Sequence, residues 1–220
     1  MEMTYRYRDV EINWLGHDSY LIKTDKTIYI DPFKISSGPA ADLVLITHDH
    51  FDHLSLDDLQ KITTDKTVIV AARNCEHELR KLGRGSVKYV SPGETVSIGN
   101  IRVKAVPAYN VNKFREPGKV FHPREYGGVG YVVSLGDVSI YHAGDTDFIP
   151  EMKEVKADVA LLPVSGTYVM TASEAVEAAN LIKPAVAIPM HYGTIVGSEK
   201  DAENFKSLYK GETVILKKQG

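Results

Sequence analysis

Cysteine occurs once in the 220 residues, as Cys75, so no intramolecular disulfide can form and no cluster of thiolates can hold a metal. Its setting, beside Glu76, Leu79 and Leu82 in a helical-looking stretch, reads as a small buried thiol and not as a nucleophile. No segment approaches the roughly 18 consecutive apolar residues of a membrane span. Residues 1–10 are charged where a signal peptide would be apolar, so a cytoplasmic, reducing location and no membrane partner are expected. A basic excess is also missing: 26 Lys and Arg stand against 29 Asp and Glu, a formal net charge of −3. Phosphate backbones are normally gripped by a basic patch, so no nucleic-acid partner is expected. There is no G-x-S-x-G elbow to carry a nucleophilic serine. Short-period repeats and low-complexity linkers are absent as well.

What is present fits a globular chain with one sizeable core, at 43% hydrophobic and 25% charged residues. Val10, Ile12 and Trp14 alternate with Glu11 and Asn13, which predicts a half-buried strand. Strands at 20–22 and 27–30 follow, joined by the turn Thr24-Asp25-Lys26. Residues 41–47, ADLVLIT, form a continuous apolar run that predicts a strand covered on both faces and leads straight into His48. Ser55-x-x-Asp58 resembles a capping box opening a short helix. A strand at 67–71, a helix at 74–82 and strands at 87–90, 95–98 and 101–106 come next. Residues 109–128 read as a long irregular loop, of a length that is usually functional or mobile inside a compact domain.

The second half starts again with strands, at 129–135 and 138–142 around Gly136-Asp137. Residues 158–163 mirror the buried run at 41–47. Thr171-x-x-Glu174 caps an amphipathic helix carrying Ala175, Ala178, Ala179 and Ile182. A strand at 185–189, a helix at 200–209 and a last strand at 212–216 complete the pattern. Both halves run strands first and then strand–helix alternation. The expectation is an α/β (α+β) chain in one domain, 1–220, with two sheets back to back and helices outside.

The chemistry concentrates in His48-Asp49-His50-Phe51-Asp52-His53. Three of eight histidines fall within six residues, directly after a buried strand. Residues two apart in extended chain point the same way, so His48 and His50 can chelate one ion. After a turn, Asp52 and His53 can face a second position. Imidazole and carboxylate without sulfur suit zinc, manganese, iron or nickel.

This segment resembles the signature of the metallo-β-lactamase superfamily, whose fold is a four-layer αββα sandwich of two mixed sheets packed face to face. His142-Ala143-Gly144-Asp145-Thr146-Asp147 matches the family's position for a metal-bridging carboxylate at Asp145. Pro189-Met190-His191-Tyr192-Gly193 matches its last histidine ligand, on the second metal, at His191. Trp14-Leu15-Gly16-His17-Asp18-Ser19 and Asp31-Pro32-Phe33 resemble the opening of the branch that includes ascorbate-6-phosphate lactonase and uncharacterised metal-dependent hydrolases. The resemblance spans residues 12–193. One departure stands out: where the family places a third histidine on the first metal, this chain reads Val106-Pro107-Ala108-Tyr109-Asn110. Asn110 stands at that place, and an amide oxygen is a weaker ligand than imidazole. Either the first site is weak or another donor substitutes, with His17 and His122 as the candidates for a ligand or a substrate contact.

The resemblance implies one or two divalent ions, zinc first and manganese, nickel or iron next, held by His48, His50, Asp52, His53, Asp145 and His191. It implies a metal-bound hydroxide attacking a small ester, lactone, amide or phosphodiester, with Asp52 as the catalytic hydrogen-bond partner that orients it. A carboxylate normally replaces His50 in di-iron redox members, so the histidine argues against that role. The alternative is a metal-binding scaffold or sensor with little catalysis, to which Asn110 gives weight and Asp52 does not. Asp49 is expected to cap backbone or to support the neighbouring ligands, His142 to be a core histidine, His77 to be solvated and Asp31 to steady the motif. Orienting the ligands and ordinary turn chemistry account equally well for Thr146 and Asp147, and Thr167, Tyr168 and Tyr192 are candidate substrate contacts by position alone. Substrate and oligomeric state are not written in the sequence.

Overall fold

The computed structural model describes residues 2–219. The first sheet has seven strands in sequence order: β1 (Tyr5–Tyr7), β2 (Val10–Gly16), β3 (Ser19–Lys23), β4 (Thr27–Ile30), β5 (Leu43–Ile46), β6 (Val68–Ala72) and β7 (Ser86–Val90). Strands β1 to β4 are an antiparallel meander, and β4 to β7 are parallel. After β8 (Thr95–Ile98) and β9 (Ile101–Pro107) comes a small hairpin, β10 (Phe114–Glu116) and β11 (Lys119–Val120). Then β12 (Val129–Leu135), β13 (Val138–His142), β14 (Val159–Pro163) and β15 (Val186–Met190) follow. The second sheet is ordered β15-β14-β13-β12-β9-β8, parallel at its β13-β14-β15 end. Both halves therefore pass from antiparallel hairpins to parallel strands, and helices α1 (Leu56–Ile62), α2 (Glu76–Leu79), α3 (Ala172–Ile182) and α4 (Glu199–Leu208) lie outside. Two mixed sheets face each other, as the sequence predicts.

The continuous apolar runs become the central parallel strands. Every residue of β5, β14 and β15 is buried, because sheet neighbours and both faces shield them. A buried Tyr131 on β12 ties the two sheets by donating its hydroxyl to the Ile46 carbonyl on β5, 2.7 Å away. In sheets of this kind the site forms where loops leave the carboxyl ends of the strands. Here β5, β13 and β15 deliver His48–His53, Asp145 and His191 to the same end.

Four expectations need correction. The 212–216 strand is reduced to isolated bridges, Thr213 with Ala187 and Leu216 with Glu2, because the chain leaves the edge of the second sheet and crosses to the first. The 74–82 helix splits into a 3-10 turn, Arg73–Cys75, and the four-residue α2, ending in further 3-10 bonds before Gly83 at φ 69°. Only half of the Ser55 capping box forms: Ser55 accepts from Asp58 N, but the Asp58 carboxylate turns to the backbone N–H groups of Lys34 and Ile35. The 109–128 loop is ordered rather than irregular throughout. Beyond its hairpin and a 3-10 turn at Arg124–Tyr126, buried Asp147 accepts from Val111 N and Asn112 N and pairs with Lys113. Among the described residues, no helix is long and apolar enough to cross a membrane.

Candidate metal centre

Strand β5 ends at Ile46, and the motif wraps rather than running on extended. Backbone N–H groups of His53 and Leu54 both return to the His50 carbonyl, at 3.0 and 2.8 Å. This tight turn buries His48 and His53, leaves His50 less covered, and pushes the Phe51 ring 70% into solvent.

Four imidazoles have the same hydrogen-bond logic. His53 Nδ1 lies 2.8 Å from Asp31 Oδ2. His48 Nδ1 lies 3.0 Å from Thr47 Oγ1, whose own proton goes to Asp31 Oδ2. His122 Nδ1 lies 2.9 Å from Asn110 Oδ1, and His191 Nδ1 2.9 Å from Ser165 Oγ, which donates to the Thr167 carbonyl. Each partner is an acceptor, which assigns a proton to every one of these Nδ1 atoms and makes Nε2 the ligand atom. All four Nε2 atoms then converge on one buried carboxylate. Asp145 Oδ2 is 3.9 Å from His48 Nε2 and 3.5 Å from His122 Nε2. Asp145 Oδ1 is 3.4 Å from His53 Nε2 and 3.5 Å from His191 Nε2. His50 joins the first side through Nδ1, 3.2 Å from His122 Nε2.

The donors thus divide into two groups, each with its ligand atoms mutually within 4.8 Å: His48, His50, His122 and Asp145, and His17, Asp18, His53 and His191. Asp52 borders the second group, 3.8 Å from His53 Nε2 and hydrogen-bonded to His17 Nε2 at 3.0 Å. His17 sits in the β2–β3 turn at φ 54° and His191 just after β15 at φ 60°, with ring centroids 4.2 Å apart. Left-handed backbone is uncommon for histidine, and the turn is held in it. The His17 carbonyl accepts from the Trp14 indole at 2.8 Å and from His191 N at 3.1 Å.

Electrostatics follow from burial and from Asp145. Burial pushes His122 down to about 4 and His48 well below the ordinary histidine value, so both are neutral at pH 7. Burial would also lower His53 and His191, but the Asp145 carboxylate beside them more than offsets it and raises both. In return, these two imidazoles hold Asp145 well below the usual carboxylate range despite its burial. Asp52 is penalised by burial, yet the His17 hydrogen bond and the nearby His53 bring it to about 2. Ionised Asp145 and Asp52 beside the neutral imidazoles of His48 and His122, with protons on His53 and His191 that a divalent ion would displace, are a cation site by their chemistry.

Of the residues singled out from sequence, His48, His50, His53, His122, Asp145 and His191 come together, with His17 and Asp52 against them. Asn110 does not take a ligand's place. Its Oδ1 accepts from both His122 N and His122 Nδ1, and its Nδ2 donates to the Tyr168 carbonyl, so the amide is fully engaged in holding His122. His122 reaches the position because the backbone pair Asn110 N to His122 O, 2.7 Å, folds the loop back on itself.

His142 is a satisfied core histidine between the Asp18 carbonyl and Gly144 N, and His77 is solvated at 85% side-chain exposure. Asp49 accepts from the Tyr126 hydroxyl, and buried Thr146 ties down Tyr109. Cys75 is buried, with its thiol pushed far up by burial. Tyr192 packs on Trp14, with centroids 4.7 Å apart, rather than facing the histidines, and Tyr168 meets Phe121 edge to face. Sequence reasoning passed over Asp18, Thr47 and Ser165. Only Asp18 carried a signal, its place next to His17; Thr47 and Ser165 act through tautomer control that no spacing reveals.

The beta-lactamase superfamily domain model matches residues 11–191. A UPF0173 metal-dependent hydrolase of Archaeoglobus fulgidus is 36% identical over 234 aligned positions, covering 94% of this chain and 96% of its own. One from Methanopyrus kandleri is 36% identical over 213 positions, covering 90% of each. Among solved structures, a protein of Parabacteroides distasonis provisionally described as a metal-dependent hydrolase superposes with a TM-score of 0.82 at 34% identity, covering 98% of both chains. Igni18, a metallo hydrolase of Ignicoccus hospitalis, matches at 22% identity over 96% of each chain with a TM-score of 0.76, a likeness of fold alone. With a family model running from β2 through His191 and relatives of this identity along nearly its whole length, the chain belongs to the metal-dependent hydrolases of the metallo-β-lactamase superfamily.

Proposed function

We propose that this chain hydrolyses a small ester, lactone, amide or phosphodiester at a binuclear centre. His48, His50 and His122 would hold one divalent ion, His53, His191 and Asp52 the other, and Asp145 would bridge them. The observation that carries the proposal is the convergence of four Nε2 atoms on the two oxygens of Asp145, with the Nδ1 of each of these imidazoles tied to a protein acceptor. Neighbouring donors separated by 3.2–3.9 Å match the edges of a coordination shell, since metal–nitrogen bonds of about 2.0–2.1 Å imply tetrahedral edges near 3.4 Å. Zinc suits the imidazole-rich side, and manganese, nickel or iron would also be accepted by nitrogen and oxygen.

Divalent ions there would bring the pKa of a water molecule towards neutrality and polarise the bond under attack. The protein's part is positioning and proton handling. Asp52, ionised at neutral pH and fixed by His17, is the acceptor that orients the attacking water and takes its proton. Asp31 and Thr47 together lock His48 and His53, so the motif is preorganised by a single buried carboxylate. Exposed Phe51 projects from the motif between His50 and Asp52 and offers an apolar contact to substrate.

A metal-binding scaffold loses its main support once His122, and not Asn110, stands beside His50. A cytoplasmic location and a small-molecule substrate accord with the buried thiol and the net charge of −3. The test is a panel of esters, lactones, amides and phosphodiesters on metal-loaded protein. Turnover that disappears on chelation and returns with zinc or manganese supports the reading. Full metal loading with no turnover on any class would favour the scaffold.

A further inference from the structure

We propose that Asp18 is a direct ligand of the second metal ion, completing a carboxylate-rich position with His17, His53, His191, Asp52 and Asp145. The inference rests on the metal-centre reading above. Asp18 is fully buried, and neither of its carboxylate oxygens has a protein hydrogen-bond partner among the described residues. The nearest cationic candidate, His53 Nε2, lies 3.6 Å from Asp18 Oδ2, beyond hydrogen-bond reach, and the Nδ1 proton of His53 goes to Asp31.

Other buried aspartates of this chain are treated differently. Asp31 accepts from Thr47 N, Thr47 Oγ1 and His53 Nδ1. Asp147 accepts from Val111 N and Asn112 N and pairs with Lys113. A buried carboxylate with no donor is strongly unfavourable, so such a group either takes up a proton or is compensated by a cation. Asp18 shares its surroundings with three imidazoles whose ligand atoms lie within 4.8 Å of its own.

The local backbone is built to present Asp18 there. Gly16 at φ 105° and His17 at φ 54° make a sharp turn, and a side chain at Gly16 would meet Lys218. The turn is pinned from three sides: the Trp14 indole and His191 N donate to the His17 carbonyl, and His142 Nε2 donates to the Asp18 carbonyl at 2.8 Å. The two positions are consequently unequal. One offers three histidines and a shared Asp145, suited to zinc. The other adds Asp18 and Asp52 oxygens, the harder donor set that manganous and ferrous ions favour.

The test is a titration of chelator-stripped protein with Mn2+, reading bound equivalents from the electron paramagnetic resonance signal of the free ion, alongside apo-protein melting. Wild type is expected to bind two equivalents. Asp18→Ser and the near-isosteric Asp18→Asn are expected to keep the first and weaken the second roughly tenfold or more. Because a buried carboxyl group without a hydrogen-bond partner is removed, both variants are expected to melt no lower than wild type as apo-proteins, while gaining less from Mn2+. Two undiminished equivalents in folded Asp18→Asn, or an apo-protein that melts lower with unchanged metal binding, would overturn the assignment and leave Asp18 structural. A wild type that binds no Mn2+ and no Zn2+ would instead sink the metal-centre reading.

Discussion

Replacing Asn110 by alanine separates a residue that orients a ligand from one that is a ligand. The substitution removes three hydrogen bonds: Asn110 Oδ1 from His122 N at 2.9 Å and from His122 Nδ1 at 2.9 Å, and Nδ2 to the Tyr168 carbonyl at 2.8 Å. Two buried donors of His122 are left without partners, so the cost is about 2–4 kcal/mol. For a chain of this length, each kcal/mol moves the melting temperature by about 2–4 °C, so a fall of roughly 5–15 °C is expected by calorimetry on the apo-protein. Metal binding changes in a specific way. Freed from Asn110, the His122 ring can rotate and exchange tautomers, and affinity at the first position is expected to drop about 10–100-fold. Asn110→Asp keeps both acceptor functions but sets its second oxygen against the Tyr168 carbonyl, so it should restore that affinity only in part. Chelator-competition titration with zinc reads both equivalents. Unchanged affinity in Asn110→Ala at both positions would refute the placement of His122.

Asp52→Asn is expected to lower turnover roughly 100-fold or more while elemental analysis still finds metal bound; undiminished turnover would remove Asp52 from its role. Tyr131→Phe deletes the bond across the sheets to Ile46 O and leaves that carbonyl short of a partner, a loss of about 1–2 kcal/mol seen as a lower urea midpoint. Glu174 is pushed up by its burial but held at about 2 by Lys113, Asn112 and the Thr171 cap, against an ordinary value of 4.5. A depressed carboxylate adds stability that is complete above the unfolded value and fades as pH falls from about 4.5 towards 2. Partial exposure reduces the contribution to about 1 kcal/mol. Glu174→Gln should therefore flatten the acid limb of a melting-temperature profile over that window, and an identical slope would contradict the assignment.

How far the sequence was legible depended on whether the signal was local. Residues 41–47 announced a strand covered on both faces because its neighbours in sequence are apolar regardless of partner. The motif His48 to His53, Asp145 and His191 was legible because each follows such a strand, and strand ends are where loops converge. Asn110 was misplaced for the opposite reason. Which of two polar residues twelve positions apart faces the metal is decided by one backbone pair, Asn110 N to His122 O, formed only when the 109–128 loop folds back. The same holds at 212–216, where a β-branched and apolar run suits a strand but the chain only bridges to Ala187 and Glu2 in turn. Asp18 stood in plain view beside His17, and only its lack of hydrogen-bond donors in the folded chain sets it apart from an ordinary turn aspartate.

The central claim, a binuclear centre on one bridging carboxylate, is tested most directly by metal content per chain. Elemental mass spectrometry would be run on protein purified without chelators or a metal-affinity tag, wild type beside Asp145→Ala. The account predicts about two ions per wild-type chain, as in binuclear hydrolases, and loss of tight binding at both positions when Asp145 is removed. One ion or none in the wild type, or two retained in folded Asp145→Ala, would contradict it.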